Sequence, residues 1–198
     1  MGILNRLLGR DKSGAATRLS SHCALVSSWE DIYRGGGDWR YTRKGGINGG
    51  SRRVASLGAA KALCAELSRL CFSEGAQVCS ADPQTEQFLR GVLEQNRFTE
   101  RFPAFLESVM ALGGGAVKVY WDGGIKLDFI TAESFIPTHW DTRSITGAAF
   151  ASKITENGKG YILAESQHMD GGDLIVENRL FSESGAEAKL SELFPGRI

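Results

Sequence analysis

Histidine is scarce in this sequence. Three copies stand among 198 residues, at His22, His139 and His168, in separate segments. With no HExxH and no paired Cys and His spacing, no structural zinc site is predicted, and His139, between Thr138 and Trp140, reads as a packed or exposed loop residue rather than a ligand or base. The four cysteines, Cys23, Cys64, Cys71 and Cys79, include no Cys-x-x-Cys pair. That excludes a disulfide framework, and because Cys64 and Cys71 lie seven apart on one helical stripe it predicts buried thiols in a reducing compartment. Net charge is absent too, at +0, so the whole chain has no global attraction for nucleic acid or anionic lipid. No apolar run approaches a membrane span, MGILNRLLGR is too short for a secretory signal, and Arg6 stands where a Gly2 myristoylation motif wants Ser or Thr. No membrane association is expected.

Reactive motifs are missing as well. Lys12-Ser13 lacks the glycines of a phosphate-binding loop, the glycine clusters miss the dinucleotide fingerprint, and no GxSxG elbow occurs. No cofactor is predicted and nothing points to an enzyme. Asp128, Asp141, Asp170 and Asp173 would be the acids of a metal-dependent nuclease, but Asp141, Asp170 and Asp173 stand at turn-like positions, where a short carboxylate ordinarily caps backbone groups.

What is present is uneven charge and clear periodicity. Up to Arg53 there are ten Lys or Arg against four Asp or Glu; from Val54 onward there are thirteen against nineteen. The first quarter is basic and the body acidic. Residues 2–8, with Ile3, Leu4, Leu7 and Leu8 on one side, read as an apolar stub, and Asp11 to Arg18, polar and small, reads as a linker. Leu25, Val26, Trp29, Ile32 and Tyr33 then predict a helix over 20–33, halted by Gly35, Gly36 and Gly37. Residues 35–53 hold seven glycines and predict a long exposed loop, in which Trp39, Arg40, Tyr41, Arg43, Lys44, Arg52 and Arg53 interleave aromatics with cations. Such a mixture suits a solvated or subunit-contacting loop, and it also suits phosphate backbones and stacked bases.

The repeat of Leu57, Ala60, Cys64, Leu67 and Cys71 predicts a helix over 54–72 that packs on the sheet or on other helices. AQVCSA, residues 76–81, reads as an edge strand. Asp82 and Pro83 then cap a helix whose buried face is Phe88, Leu89, Val92 and Leu93. After a turn near Asn96 and Arg97 comes a helix with Pro103 in its first turn and Phe105, Leu106, Val109 and Met110 on one face, ended by Gly113, Gly114 and Gly115. Val117, Val119 and Trp121, then Ile125, Leu127 and Phe129, alternate about Asp122-Gly123-Gly124 as a hairpin. Residues 135–141 read as an aromatic-rich loop. Ala148 to Thr155, Gly160 to His168 and Asp173 to Ser182 read as strands joined by Asn157-Gly158-Lys159 and Asp170-Gly171-Gly172. The tail from Ser191 reads as a short helical turn followed by Pro195 and Gly196. The predicted class is α+β, amino-terminal helices followed by an antiparallel sheet of about five strands.

Ala111-Leu112-Gly113-Gly114, the strand Val117-Lys118-Val119-Tyr120, and above all Phe135-Ile136-Pro137 followed by Trp140-Asp141, Ile145-Thr146 and Phe150 resemble the portal proteins of tailed double-stranded-DNA bacteriophages, in the siphovirus branch. Trp29, Ile32, Tyr33, Gly35 and Trp39, then Arg53, Lys61, Leu70 and Phe72-Ser73-Glu74, look like the same family's amino-terminal run. The resemblance implies a structural part of a ring, commonly of twelve subunits, at one head vertex. There the terminase motor docks, DNA passes in and out, and head-completion or adaptor proteins seal the opening, with scaffold or major capsid protein alongside. It implies no catalysis and a place in the virion, reached from the host cytoplasm. The match is to the wing portion: residues 1–18 are read as a flexible extension and 19–198 as the wing-like domain, while the family's stem, clip, channel loop and crown have no counterpart in this sequence. The other reading is a nucleic-acid-binding module using residues 39–53.

Overall fold

Alanine opens the first helix. The structure, a computed structural model, describes residues 15–36, 42–44, 51–53 and 57–193. Helix α1 runs Ala15–Tyr33, so residues 15–18 of the expected linker are helical; Ala15-Ala16 are the best helix formers available and no glycine or proline intervenes before Gly35, which leaves the helix at φ +67°. The apolar stub at 2–8 and Pro195 and Gly196 lie outside the described residues. Between 35 and 53 the expected loop contains a short ladder: β1 (Thr42–Lys44) pairs antiparallel with β2 (Ser51–Arg53).

The chain divides into two compact units, Leu25–Ala132 and a second that joins the residues up to Ala24 with those from Glu133 onward. In the first, α2 runs Ala59–Cys71, later than the expected start at 54, because Gly58 in front of it sits at φ +60°, a left-handed backbone that no helix passes through. Its Leu63, Leu67 and Leu70 are exposed, as are Cys71 and Cys79. The expectation of buried thiols therefore fails at those two, and the leucine stripe is turned out rather than packed. The face that does pack carries Ser68, whose buried hydroxyl donates to the carbonyl of Pro103 at 2.7 Å. Residues 76–81 form no strand; exposed and without a neighbouring strand, their backbone has no ladder to join.

Helix α3 (Pro83–Gln95) is capped as the sequence predicts. The Asp82 carboxylate accepts from Thr85 Oγ1 at 2.5 Å and from the amides of Thr85 and Gln84 at 2.9 and 3.4 Å, and these bonds, the Thr85 hydroxyl first, hold it below the usual carboxylate range. Phe88, expected on the buried face, is exposed. Helix α4 (Phe98–Leu112) begins a turn earlier than read, so Pro103 lies inside it. The gain from starting early is aromatic. Phe98, Phe102 and Phe105 fall at helical spacing on one face and meet Phe72 and Phe129, with ring centroids 4.7 Å apart for Phe98–Phe102, 5.3 Å for Phe72–Phe102 and 5.2 Å for Phe105–Phe129. Burying such rings outweighs the one ladder bond that proline removes.

The expected hairpin forms: β3 (Gly115–Trp121) against β4 (Ile125–Thr131), with Val117 opposite Phe129, Val119 opposite Leu127 and Trp121 opposite Ile125. It is a two-stranded sheet by itself. A smaller apolar cluster of Val26, Leu112 and Ala132, flanked by Trp29 and Ala111, completes this unit.

The second unit is a meander in the order β5-β6-β7-β8-β9: β5 Phe135–Trp140, β6 Ile145–Glu156, β7 Lys159–Asp170, β8 Asp173–Ser182 and β9 Glu187–Ala188. The α+β class and the five-stranded antiparallel sheet are as predicted; the membership differs. The hairpin β3–β4 stays outside, and the expected aromatic loop at 135–140 enters as β5, because Ile136 is buried and Phe135 stacks near Phe150, centroids 5.7 Å apart. The turns Asn157-Gly158 and Gly171-Gly172 each hold two residues at positive φ, the geometry that matches strand twist in two-residue hairpins. Leu180, Ala164, Phe181 and Tyr161 are buried with Ile136, Ala149 and Phe150. A 3-10 turn, Leu190–Glu192, follows.

Candidate functional site

The basic residues singled out from sequence are placed only in part. Trp39 and Arg40 lie outside the described residues; Arg43 and Lys44 are on β1, Arg52 and Arg53 on β2, with Arg43 directly opposite Arg52, Thr42 opposite Arg53 and Lys44 opposite Ser51. Like charges directly across a strand pair are destabilising, and a ladder of three residues a side is marginal alone.

The glycine and aromatic motif is mostly scaffold. Gly113 is the C-cap of α4 at φ +75°, its amide bonded to the Val109 carbonyl at 2.9 Å, and a Cβ there would stand 2.8 Å from Cζ3 of Trp29. Gly114 has open space around it. Ile136 is buried, while Pro137 sits where the β5–β6 register shifts; an edge strand with a bulge is where a sheet tolerates a residue lacking an amide proton. Asp141 closes the β5–β6 turn. Its Oδ1 accepts from the amides of Arg143 and Ser144, both at 2.8 Å, and those bonds hold the carboxyl below its ordinary value. Trp140 alone of the set is an exposed aromatic, paired in register with exposed Ile145.

The four aspartates do not converge. Asp128 lies 3.6 Å from Arg101, Asp141 caps a turn, and Asp170 faces Asp173 across the β7–β8 turn. Among the described residues no group of three or more His, Cys, Asp or Glu is placed to hold a metal ion, and no helix is long and apolar enough to cross a membrane.

Two features escaped the sequence reading. His139 and His168, far apart in the chain, stack with centroids 5.4 Å apart over Gly147, where a Cβ would come within 2.9 Å of His139 Nδ1. Strand β8 exposes Leu174, Ile175 and Val176. The signal for the second was there: three consecutive apolar residues on a strand must send at least one to each face.

The described residues make an α+β chain with exposed apolar strand residues and turn-capping acids. It belongs to the phage portal protein family: the family model described as phage portal protein, SPP1 Gp6-like, matches residues 46–165, more than half of the chain. The match takes in β2, the helices α2, α3 and α4, the β3–β4 hairpin, β5, β6 and most of β7, and leaves out α1, β1 and β8. Among curated proteins none matches the chain.

Proposed function

We propose that this chain is the wing-like part of a phage portal, working as a structural member of a ring at the head vertex through which double-stranded DNA is packaged and ejected. The observation that carries this is the family match over residues 46–165, which covers the hairpin and the β5–β6 segment where the Phe135-Ile136-Pro137 and Trp140-Asp141 motifs stand. In this role the chain catalyses nothing itself; it holds neighbouring copies, twelve in the family's usual ring, and offers surface to the terminase, to head-completion proteins and to scaffold or major capsid protein. Its place is the virion head, after synthesis in the host cytoplasm. The test is assembly with the capsid and scaffold proteins of the same phage, followed by gold labelling of a tagged chain. Label at one vertex per particle is expected; chain left free, or spread over the shell, overturns the reading.

A second reading, direct nucleic-acid contact through residues 39–53, is favoured by the facing Arg43 and Arg52. It requires duplex affinity that falls steeply with salt, as counterion release dictates, and that disappears when Arg40, Arg43, Lys44, Arg52 and Arg53 are neutralised. Affinity that survives neutralisation removes it.

A further inference from the structure

Strand β8 is paired along its whole length on one side and at two residues on the other. Inward, β7 pairs in unbroken register from Tyr161 opposite Ser182 to Asp170 opposite Asp173; outward, β9 pairs only Leu180 and Phe181. Asp173 to Arg179 therefore have no ladder partner on the outer side among the described residues. Asp173 to Asn178 are exposed on both faces, with Leu174 at 58%, Ile175 at 37% and Val176 at 46%. Natural sheets blunt such an edge with lysine, proline, a bulge or a cover; DLIVEN carries no lysine or proline and its pairing with β7 has no bulge. An open edge of this kind recruits an extended strand.

Backbone phase and charge together select the strand. The Ser182 amide donates outward, to the Ala186 carbonyl at 2.8 Å, and because this direction alternates along a strand, Leu174, Val176 and Asn178 also turn their amides and carbonyls to the open side. Two copies joined antiparallel keep these groups opposed only when the two-fold axis falls on a residue. An axis at Ile175 sets Asp173 against the partner's Glu177, and one at Glu177 sets Glu177 against itself, like charge on like. Axes nearer either end give a shorter ladder, stopped by the Gly171-Gly172 turn or by β9. An axis at Val176, the middle of the open stretch, sets Asp173 against the partner's Arg179 at both ends of the ladder. We propose that β8 pairs with β8 of a second copy about this axis, making one sheet from two meanders. Leu174 then exchanges two bonds with the partner's Asn178, and Val176 two with the partner's Val176. Leu174 and Val176 of both copies share one face as an apolar stripe, while on the other face Asp173 and the partner's Arg179 form the closer, non-hydrogen-bonded class of pair. Arg179 is already oriented: Glu187 accepts from its Nε and Nη2, each at 3.0 Å, and those bonds do not use Nη1, which is left for the incoming carboxylate. An isologous contact of this kind joins copies in pairs and stops. It goes beyond the ring reading and does not rest on it, for β8 lies past residue 165, where the family match ends.

The test is the mass of the full chain by light scattering over a concentration series, with circular dichroism on each variant. The native chain is expected to climb from 21.4 kDa toward twice that mass. Asp173→Arg alone sets arginine against arginine, and Arg179→Glu alone sets acid against acid; each is expected to weaken pairing by roughly tenfold or more, the scale at which close interfacial charge pairs couple. Mixing the two variants in equal amounts restores it, because in the mixed pair both ends again carry opposite charges, a rescue that a folding defect does not show. Val176→Pro is a second probe: it removes an amide that faces outward, spares the ladder to β7, and is expected to hold the chain at 21.4 kDa with its strand signal intact. Native chain at 21.4 kDa at every concentration overturns the contact. So does a native dimer that Val176→Pro leaves unchanged, which places the interface elsewhere. Variants that pair no better mixed than alone overturn the two-fold register at Val176.

Discussion

At the scale of single residues, the interior distinguishes two neighbouring glycines that look alike in sequence. Gly113 holds φ +75° with Trp29 2.8 Å from the site of a Cβ, whereas Gly114 has open space. Gly113→Ala is expected to cost about 1–3 kcal/mol, from left-handed backbone strain and from displacing the indole; Gly114→Ala is expected to change little. Thermal unfolding followed by circular dichroism separates them, and equal shifts would show that the cap geometry is not what holds the helix end. Tyr33 offers a pH counterpart. Its hydroxyl donates to Glu107 Oε1 at 2.5 Å, and that bond first, then desolvation and the carboxylate charge, pushes the phenol up to about 12. Because the folded value is raised, the contribution is complete below the unfolded tyrosine value near ~10 and is lost as pH climbs through the folded one. Ultraviolet titration of Glu107→Gln should therefore lack the late phenol step of the parent; an unchanged curve would mean the pair does not exist in solution.

At the scale of elements, the informative contact is between a helix junction and a strand edge. Asn96, 6% exposed, donates from Nδ2 to the carbonyls of Val92 and Ile125 at 2.8 and 2.9 Å and accepts the Leu127 amide at 2.8 Å. Arg101 adds a bond to the Leu127 carbonyl at 3.1 Å and lies over the Phe129 ring. One asparagine thus ends α3 and covers the outer edge of β4, the kind of protection that β8 lacks. Asn96→Ala leaves buried backbone groups unpaired and is expected to destabilise by about 2–4 kcal/mol. Amide exchange at Leu127 should accelerate in the variant, and unaltered protection there would remove Asn96 from the role. The sequence showed Asn96 only as a turn residue, because its partners lie 29 and 31 positions away and no local pattern reports them.

At the scale of the molecule, the chain keeps strong pairing inside its sheets and leaves apolar surface outside them. Leu63 and Leu70 on α2, Val119 and Trp121 at the β3–β4 tip, Trp140 and Ile145 at the β5–β6 turn, and Leu174 to Val176 on β8 are all exposed. Large exposed apolar surface of this kind marks sites that other proteins cover, which suits a member of an assembly. Association through these faces is accordingly expected to persist or strengthen as sulfate concentration rises, since excluded salts favour apolar burial. Sedimentation at low and high sulfate measures it; a mass that falls with salt would show that ion pairs rather than apolar faces join the copies.

Sequence by itself determined the local choices. The Asp82-Pro83 start, the Gly113 stop, the alternation of β3 and β4 and the Asn157-Gly158 and Gly171-Gly172 turns are written in φ preferences and period, which act over a few residues. The Phe135-Ile136-Pro137 and Trp140-Asp141 motifs resemble the portal family's in order and spacing, and the family match over residues 46–165 agrees. Tertiary structure alone decided which strands share a sheet, that Phe98 joins α4 to complete a five-ring cluster, that the leucines of α2 face outward, and that His139 meets His168 over Gly147. Each of these depends on contacts between residues distant in the chain, where burial free energy overrides the local pattern, and periodicity says that an apolar face exists without saying what covers it.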